Sequence, residues 1–287
     1  MLKQISFLIL CAVAIVLFTA PVQACTSAVV SGKVTPDGRP LLWKNRDTDF
    51  MRNHIDYVKG EKYNFIAVVN SANAYLKEAW MGTNSSGFAL MNTQSYNLVD
   101  VKGDEERGAA NGRVIYRALE VCATVEDFCH FLDTISKPSD IEANFGVIDA
   151  QGGAAMFEVD YHKYVMYDAN NPKDAPYGYI VRTNFSFAGK VNEGAGYVRY
   201  MEADQVLMKA SATGSITPQF IFNDLSRSFR NRMLDIDLRS GAYNRPQASG
   251  WFVDQDFIPR SSTSCSVVVQ GVKPGEKAEL TTMWTLL

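Results

Sequence analysis

Apolar residues recur along this chain at two spacings, and the switches between them predict its elements. Residues 25–31 and 41–46 are apolar-rich runs on either side of Pro36-Asp37-Gly38, the composition of a hairpin turn. Residues 64–70 and 79–83 read as further strands. Asn84-Ser85-Ser86-Gly87 reads as a turn, and 88–93 as the returning strand. The spacing then becomes helical. Val114, Ala118, Leu119 and Cys122 share one face of a helix over 113–122. Thr124 with Asp127 three residues on forms a capping box for a second helix over 125–135, which Pro138 stops. Strands return at 145–149, 154–159 and 163–167, the first two joined by Gln151-Gly152-Gly153. Residues 197–208 and 218–229 predict a second helical pair, the latter opened by Thr217 as N-cap and Pro218 in the first turn. Two strands, 264–270 and 280–286, close the chain around Val272-Lys273-Pro274-Gly275. This alternation of strand groups and helix pairs predicts an α+β domain, with two antiparallel sheets faced by helices.

The first residues follow a different rule. Lys3 precedes an apolar run over 5–18 that Pro21 interrupts, and Val22-Gln23-Ala24 supplies small or modest residues before Cys25. The run is short for a bilayer span, and the pattern is that of a signal peptide cut between Ala24 and Cys25. Residues 1–24 are therefore expected to be a signal peptide and 25–287 a single domain, secreted or periplasmic after cleavage.

Composition narrows the chemistry. With 47% hydrophobic residues the chain can bury a large core. Lys3 is the only charge lost with residues 1–24, so the net charge moves from −3 to −4. No basic cluster is positioned to track a nucleic-acid backbone, so no nucleic-acid partner is expected. Of the five cysteines, Cys11 leaves with the leader. Cys25, Cys122, Cys129 and Cys265 are too sparse for a disulfide scaffold. Cys122 and Cys129 are spaced to share a helical face as core residues, with a disulfide between them the alternative. His54, His130 and His162 are scattered, and no metal site or cofactor is implied.

An N-terminal Cys25 would carry an α-amine with a reference pKa of about 7.7–8.0 beside a thiol of about 8.5, so the amine can serve as base for its own thiol. Besides a buried structural cysteine near a cut that falls elsewhere, Cys25 as a lipid anchor is the competing reading, because Val22 and Ala24 also suit a lipoprotein cleavage site. A lipidated Cys25 has neither free group, so the two readings exclude each other; under the first, no stable membrane contact is expected. A third reading pairs Cys265 or Cys129 with a histidine. The 25–46 hairpin brings Asn45-Arg46-Asp47-Thr48-Asp49 back beside Cys25, where a guanidinium lowers a thiol pKa and a carboxylate can hold an α-amine.

Cys25-Thr26-Ser27 followed by Arg46-Asp47-Thr48-Asp49 resembles the linear-amide hydrolases of the N-terminal-nucleophile superfamily. These include choloylglycine hydrolases, penicillin V acylases and acyl-coenzyme A:6-aminopenicillanic acid acyltransferase-like proteins. Gly82-Thr83-Asn84-Ser85-Ser86-Gly87, Phe145-Gly146-Val147-Ile148-Asp149, Val181-Arg182-Thr183-Asn184 and Gly196-Tyr197-Val198-Arg199-Tyr200 are similar to that group's later motifs, in order. The resemblance implies a four-layer αββα fold and hydrolysis of a small acylated amine through a thioester on Cys25. A second amine as acceptor would make the same site an acyltransferase. It implies that Arg46 tunes the thiol, Asp49 orients the α-amine, and Asn184 donates to the amine or the oxyanion. Asn92, or else Gln94, completes the oxyanion hole, and Arg199 supports the site. Two departures lean toward the acyltransferase-like branch and away from bile salts: Arg-Asp-Thr-Asp, and Gly196 where a serine is usual.

Overall fold

The computed structural model describes residues 24–100, 108–240 and 256–287. The expected leader lies, apart from Ala24, outside the described residues. The first hairpin forms as its composition predicts: β1 (Cys25–Val30) pairs antiparallel with β2 (Leu41–Asp47). The chain then makes β3 (Asn53–Val58), β4 (Phe65–Asn70), β5 (Met81–Asn84) and β6 (Ala89–Gln94), followed by the helices α1 (Asn111–Val121) and α2 (Val125–Thr134). The Thr124–Asp127 capping box is present in both directions, so the start of α2 is fixed by local chemistry. Next come β7 (Ala143–Ile148), β8 (Ala154–Val159), β9 (Tyr164–Asp168), β10 (Tyr179–Arg182) and α3 (Tyr197–Ala212). The short strands β11 (Arg230–Asn231) and β12 (Ile236–Asp237) precede β13 (Thr263–Gln270) and β14 (Thr282–Leu286).

Strands β3 to β9 form one antiparallel meander in sequence order, while the other sheet runs β10-β1-β2-β13-β14. Period two then sorts the side chains into layers. Leu90, Phe145 and Phe157 face α1 and α2, packing with Ile115, Leu119 and Phe128. Val29, Leu42, Met91, Met156, Val267 and Val269 fill the space between the sheets. Ala28, Leu41, Trp43 and Val268 face α3, against Ala203 and Leu207. The order is helices, sheet, sheet, helix: the αββα arrangement. Cys25, Cys122, Cys129 and Cys265 are all free thiols, with Cys122 packed in the helix-facing core.

The structure departs from the sequence pattern in several places, and β10 and β12 are strands the pattern did not predict. The helix expected over 218–229 starts as predicted, with Thr217 capping Phe220, but only Pro218–Phe220 is α-helical. The chain then widens, Ser226 donating to the Ile221 carbonyl at 2.7 Å, and turns into β11. Strand β3 was not expected: Asn53–Val58 is a half-exposed sheet edge whose polar residues hide its alternation.

Candidate active site

Cys25 opens β1 opposite Arg46 on β2, and Arg46 in turn pairs with Cys265 on β13. Alternation therefore sets Cys25, Lys44, Arg46 and Cys265 on one face, the face that meets the second sheet. Strand β10 flanks β1 on its other side, with Ser27 opposite Arg182, so the chain beyond β10 carries Asn184 alongside Cys25. There the Cys25 nitrogen donates to Asn184 Oδ1 at 3.0 Å, and Asn184 Nδ2 donates to the Gln94 carbonyl at 2.8 Å. One side chain thus ties the start of β1 to the end of β6 in the facing sheet.

Arg199, in the first turn of α3, is fully enclosed and closes this corner from the helix side. Its Nη1 donates to the Cys25 carbonyl at 2.6 Å and to Thr26 Oγ1 at 3.0 Å. Its Nη2 donates to Asn184 Oδ1 at 2.9 Å, and its Nε to Asp256 Oδ1 at 2.7 Å. Gly196 is required here on two counts: its φ is +86°, and a Cβ would collide with Arg199 Nη2.

Arg46 lies on the thiol side. Its guanidinium donates to Asn70 Oδ1 at 2.9 Å and to Asn53 Oδ1, and stands 4.7 Å from the Trp80 ring centroid. Burial weakens the Arg46 charge, and the nearby Cys265 and Cys25 thiols act to strengthen it. The Cys25 thiol itself faces the Asp47 carbonyl at 3.9 Å.

The sequence-predicted residues fall into two groups. Cys25, Arg46, Asn184 and Arg199 meet at one corner. Asn92 joins them through Lys44, whose Nζ donates to Asn92 Oδ1 at 3.0 Å. Gln94 contributes its backbone carbonyl, while its side chain is taken up elsewhere: Oε1 accepts from Asn111 Nδ2 at 2.7 Å and Nε2 donates to the Ser95 carbonyl at 3.0 Å. Asp49 is not brought in. Strand β2 ends at Asp47 and the chain leaves the sheet, so Asp49 is exposed and its carboxylate bonds no other described residue. The enclosed carboxyl is Asp47. Burial raises it to about 7, even though its Oδ1 accepts from Thr263 Oγ1 at 2.6 Å, and its Oδ2 has no partner among the described residues.

Lys44 and Asp47 were not read from the sequence as site residues. Trp80 Nε1 is a second buried atom without a partner among the described residues. Among the described residues no histidine ring bonds a cysteine, and His54 pairs instead with Ser71.

Residues 34–212 match the family described as acyl-coenzyme A:6-aminopenicillanic acid acyl-transferase. The chain belongs to this acyltransferase family. Among solved structures, an N-acylethanolamine-hydrolyzing acid amidase ortholog from Caenorhabditis elegans superposes with a TM-score of 0.52 at 14% identity, covering 92% of this chain and 100% of that one. A conjugated bile acid hydrolase from Clostridium perfringens matches at TM-score 0.47 and 14% identity, over 92% of this chain and 96% of that one. A penicillin V acylase from Agrobacterium tumefaciens matches at TM-score 0.44 and 15% identity, over 86% and 80%. No curated protein matches by sequence. The acyltransferase family assignment and the αββα layering place the chain in the N-terminal-nucleophile superfamily of amide hydrolases and acyltransferases.

Proposed function

We propose that the mature protein begins at Cys25 and hydrolyses a linear carbon–nitrogen amide bond through a thioester on that residue. The observation that carries this reading is the anchoring of Cys25. Its nitrogen is held by Asn184 and its carbonyl by Arg199, while its thiol shares a face with the Arg46 and Lys44 cations. A structural cysteine in a strand would also bond its nitrogen and carbonyl, but it has no need of two cations beside its thiol. Signal peptidase cutting after Ala24 would free the α-amine and release the protein to the periplasm or the medium.

In this reading the α-amine takes the thiol proton and the thiolate attacks the carbonyl carbon of a small acylated amine. The carbonyl electron pair moves onto oxygen, where the Asn92 amide N–H stabilises it. The C–N bond breaks as the leaving amine receives the proton. Water then hydrolyses the thioester, regenerating the thiol. Donors aimed at such an oxyanion are worth roughly 2–4 kcal/mol. A new α-ammonium also brings added N–H donors. The β1–β2 register carried one residue further sets Ala24 against Asp47, so Asp47 Oδ2 is the acceptor that becomes available once Ala24 leaves.

The family description supports a second reaction at the same thioester, transfer to an amine instead of water. The test is Cys25→Ala against wild type, with an N-acyl p-nitroanilide and then a primary amine acceptor. The reading expects loss of all p-nitroaniline release in the variant; undiminished release would end it. An N-acylated acceptor among the wild-type products would mark the transferase reaction.

A further inference from the structure

Lys44 is an ammonium in the middle of an apolar inter-sheet layer. It follows Leu42 on the same face of β2, its cross-strand neighbour on β13 is Val267, and it is 2% exposed. Burying a cation is costly unless hydrogen bonds and a counter-charge compensate. The hydrogen bonds are to neutral oxygens: the Trp80 carbonyl at 3.1 Å and Asn92 Oδ1 at 3.0 Å. No carboxylate bonds it among the described residues. The charged and titratable groups around it are Cys25 on β1, which lies diagonal to Lys44 on the same face in the β1–β2 register, Cys265 on β13 and Asp47 on β2, all three of which attract it, and Arg46 on β2, which repels it. The counter-charge that fits this site is therefore the Cys25 thiolate.

The second feature is directional. An amide side chain can be turned end for end, but a lysine only donates, so Asn92 must present its oxygen to Lys44. That leaves the Asn92 Nδ2–H group as the free end, and it makes no hydrogen bond to another described residue. An ammonium on the amide oxygen also polarises the amide, making its N–H a stronger donor.

We propose that Lys44 is a positioning residue that couples the nucleophile to the oxyanion donor, serving as counter-ion to the Cys25 thiolate and holding Asn92 with its N–H free for the substrate carbonyl oxygen. This rests on Cys25 being the nucleophile. At neutral pH Lys44 keeps its proton through the reaction, and two of its three N–H donors are occupied by Trp80 and Asn92.

The test uses the mature protein, with iodoacetamide alkylation of Cys25 followed against pH by peptide mass and with the p-nitrophenolate burst from p-nitrophenyl butyrate. Lys44→Met is expected to move the alkylation midpoint up by about one pH unit or more, since one unit is a tenfold change in thiolate fraction. It should slow the burst about tenfold or more at neutral pH with KM little changed. Lys44→Arg should restore most of the alkylation profile. Lys44→Gln can still donate to Asn92 but carries no charge, so it decides the matter if Lys44→Met does not fold: its profile should remain shifted. An unshifted profile in a folded neutral variant, with a burst within twofold of wild type, would overturn the proposal. Cys25→Ala separates the two claims. A burst surviving in Cys25→Ala sinks the nucleophile itself, whereas a dead Cys25→Ala beside an unaffected Lys44→Met sinks only the role of Lys44.

Discussion

Single residues at the site carry their chemistry through burial. Lys44 is pushed down to about 8 by burial, against the pull of Cys25. Its folded value lies below the unfolded one, so the unfolded chain binds more protons between about 8 and 10.5. Stability should therefore rise with pH across that window as the burial cost is relieved, by an amount on the order of 3 kcal/mol at most. Denaturant melts of wild type and Lys44→Met from pH 7.5 to 10.5 should show the rise in wild type only. Asp47 has the opposite sign. Its folded value of about 7 lies above the ordinary 3.8, so stability is fullest below the ordinary value and falls as pH rises toward 7. In the mature protein an α-ammonium against Oδ2 should bring that carboxyl back down. Asp47→Asn should then alter the acidic limb of the pH–rate profile more than Asp49→Asn does; the reverse ranking would return the α-amine to Asp49. The sequence marked the Arg-Asp-Thr-Asp cluster but not which aspartate turns inward, because that depends on β2 ending at Asp47. Lys44 was hidden for a similar reason: a lysine in an apolar strand reads as a surface residue until a second sheet covers it.

At the scale of elements, what was legible was what local chemistry decides. The Pro36-Asp37-Gly38 hairpin, the Thr124 capping box and the Thr217-Pro218 helix start all form as read. Thr124→Ala removes the acceptor for the Asp127 N–H, a 3.0 Å bond, and should cost about 1 kcal/mol in chemical denaturation with activity unchanged. What stayed illegible was decided by tertiary packing. The helix expected over 218–229 stays α-helical only to Phe220, and Arg230–Asn231 just beyond it pairs with β12. Strand β3, as a sheet edge, has no need of the apolar alternation that would have revealed it.

Across the whole molecule, the site exists because two sheets approach closely enough for Asn184 to span them. Gly146 shows how close: a Cβ there would run into Met91 Cε, Leu42 Cδ1 and Val29 Cγ2, side chains of three other strands in both sheets. Gly146→Val should therefore separate the sheets, lowering thermal stability and acylation together, since Asn184, Lys44 and Asn92 all depend on the spacing. The most direct test of the central claim is the mass of the secreted protein, quenched during turnover of an N-acyl p-nitroanilide and mapped by peptide. The expected mass is that of residues 25–287, with the acyl group on the thiol of a peptide that begins at Cys25 and removable from it by hydroxylamine. An active protein still carrying residues 1–24, a lipid on Cys25, or an acyl group mapped to another residue would contradict it.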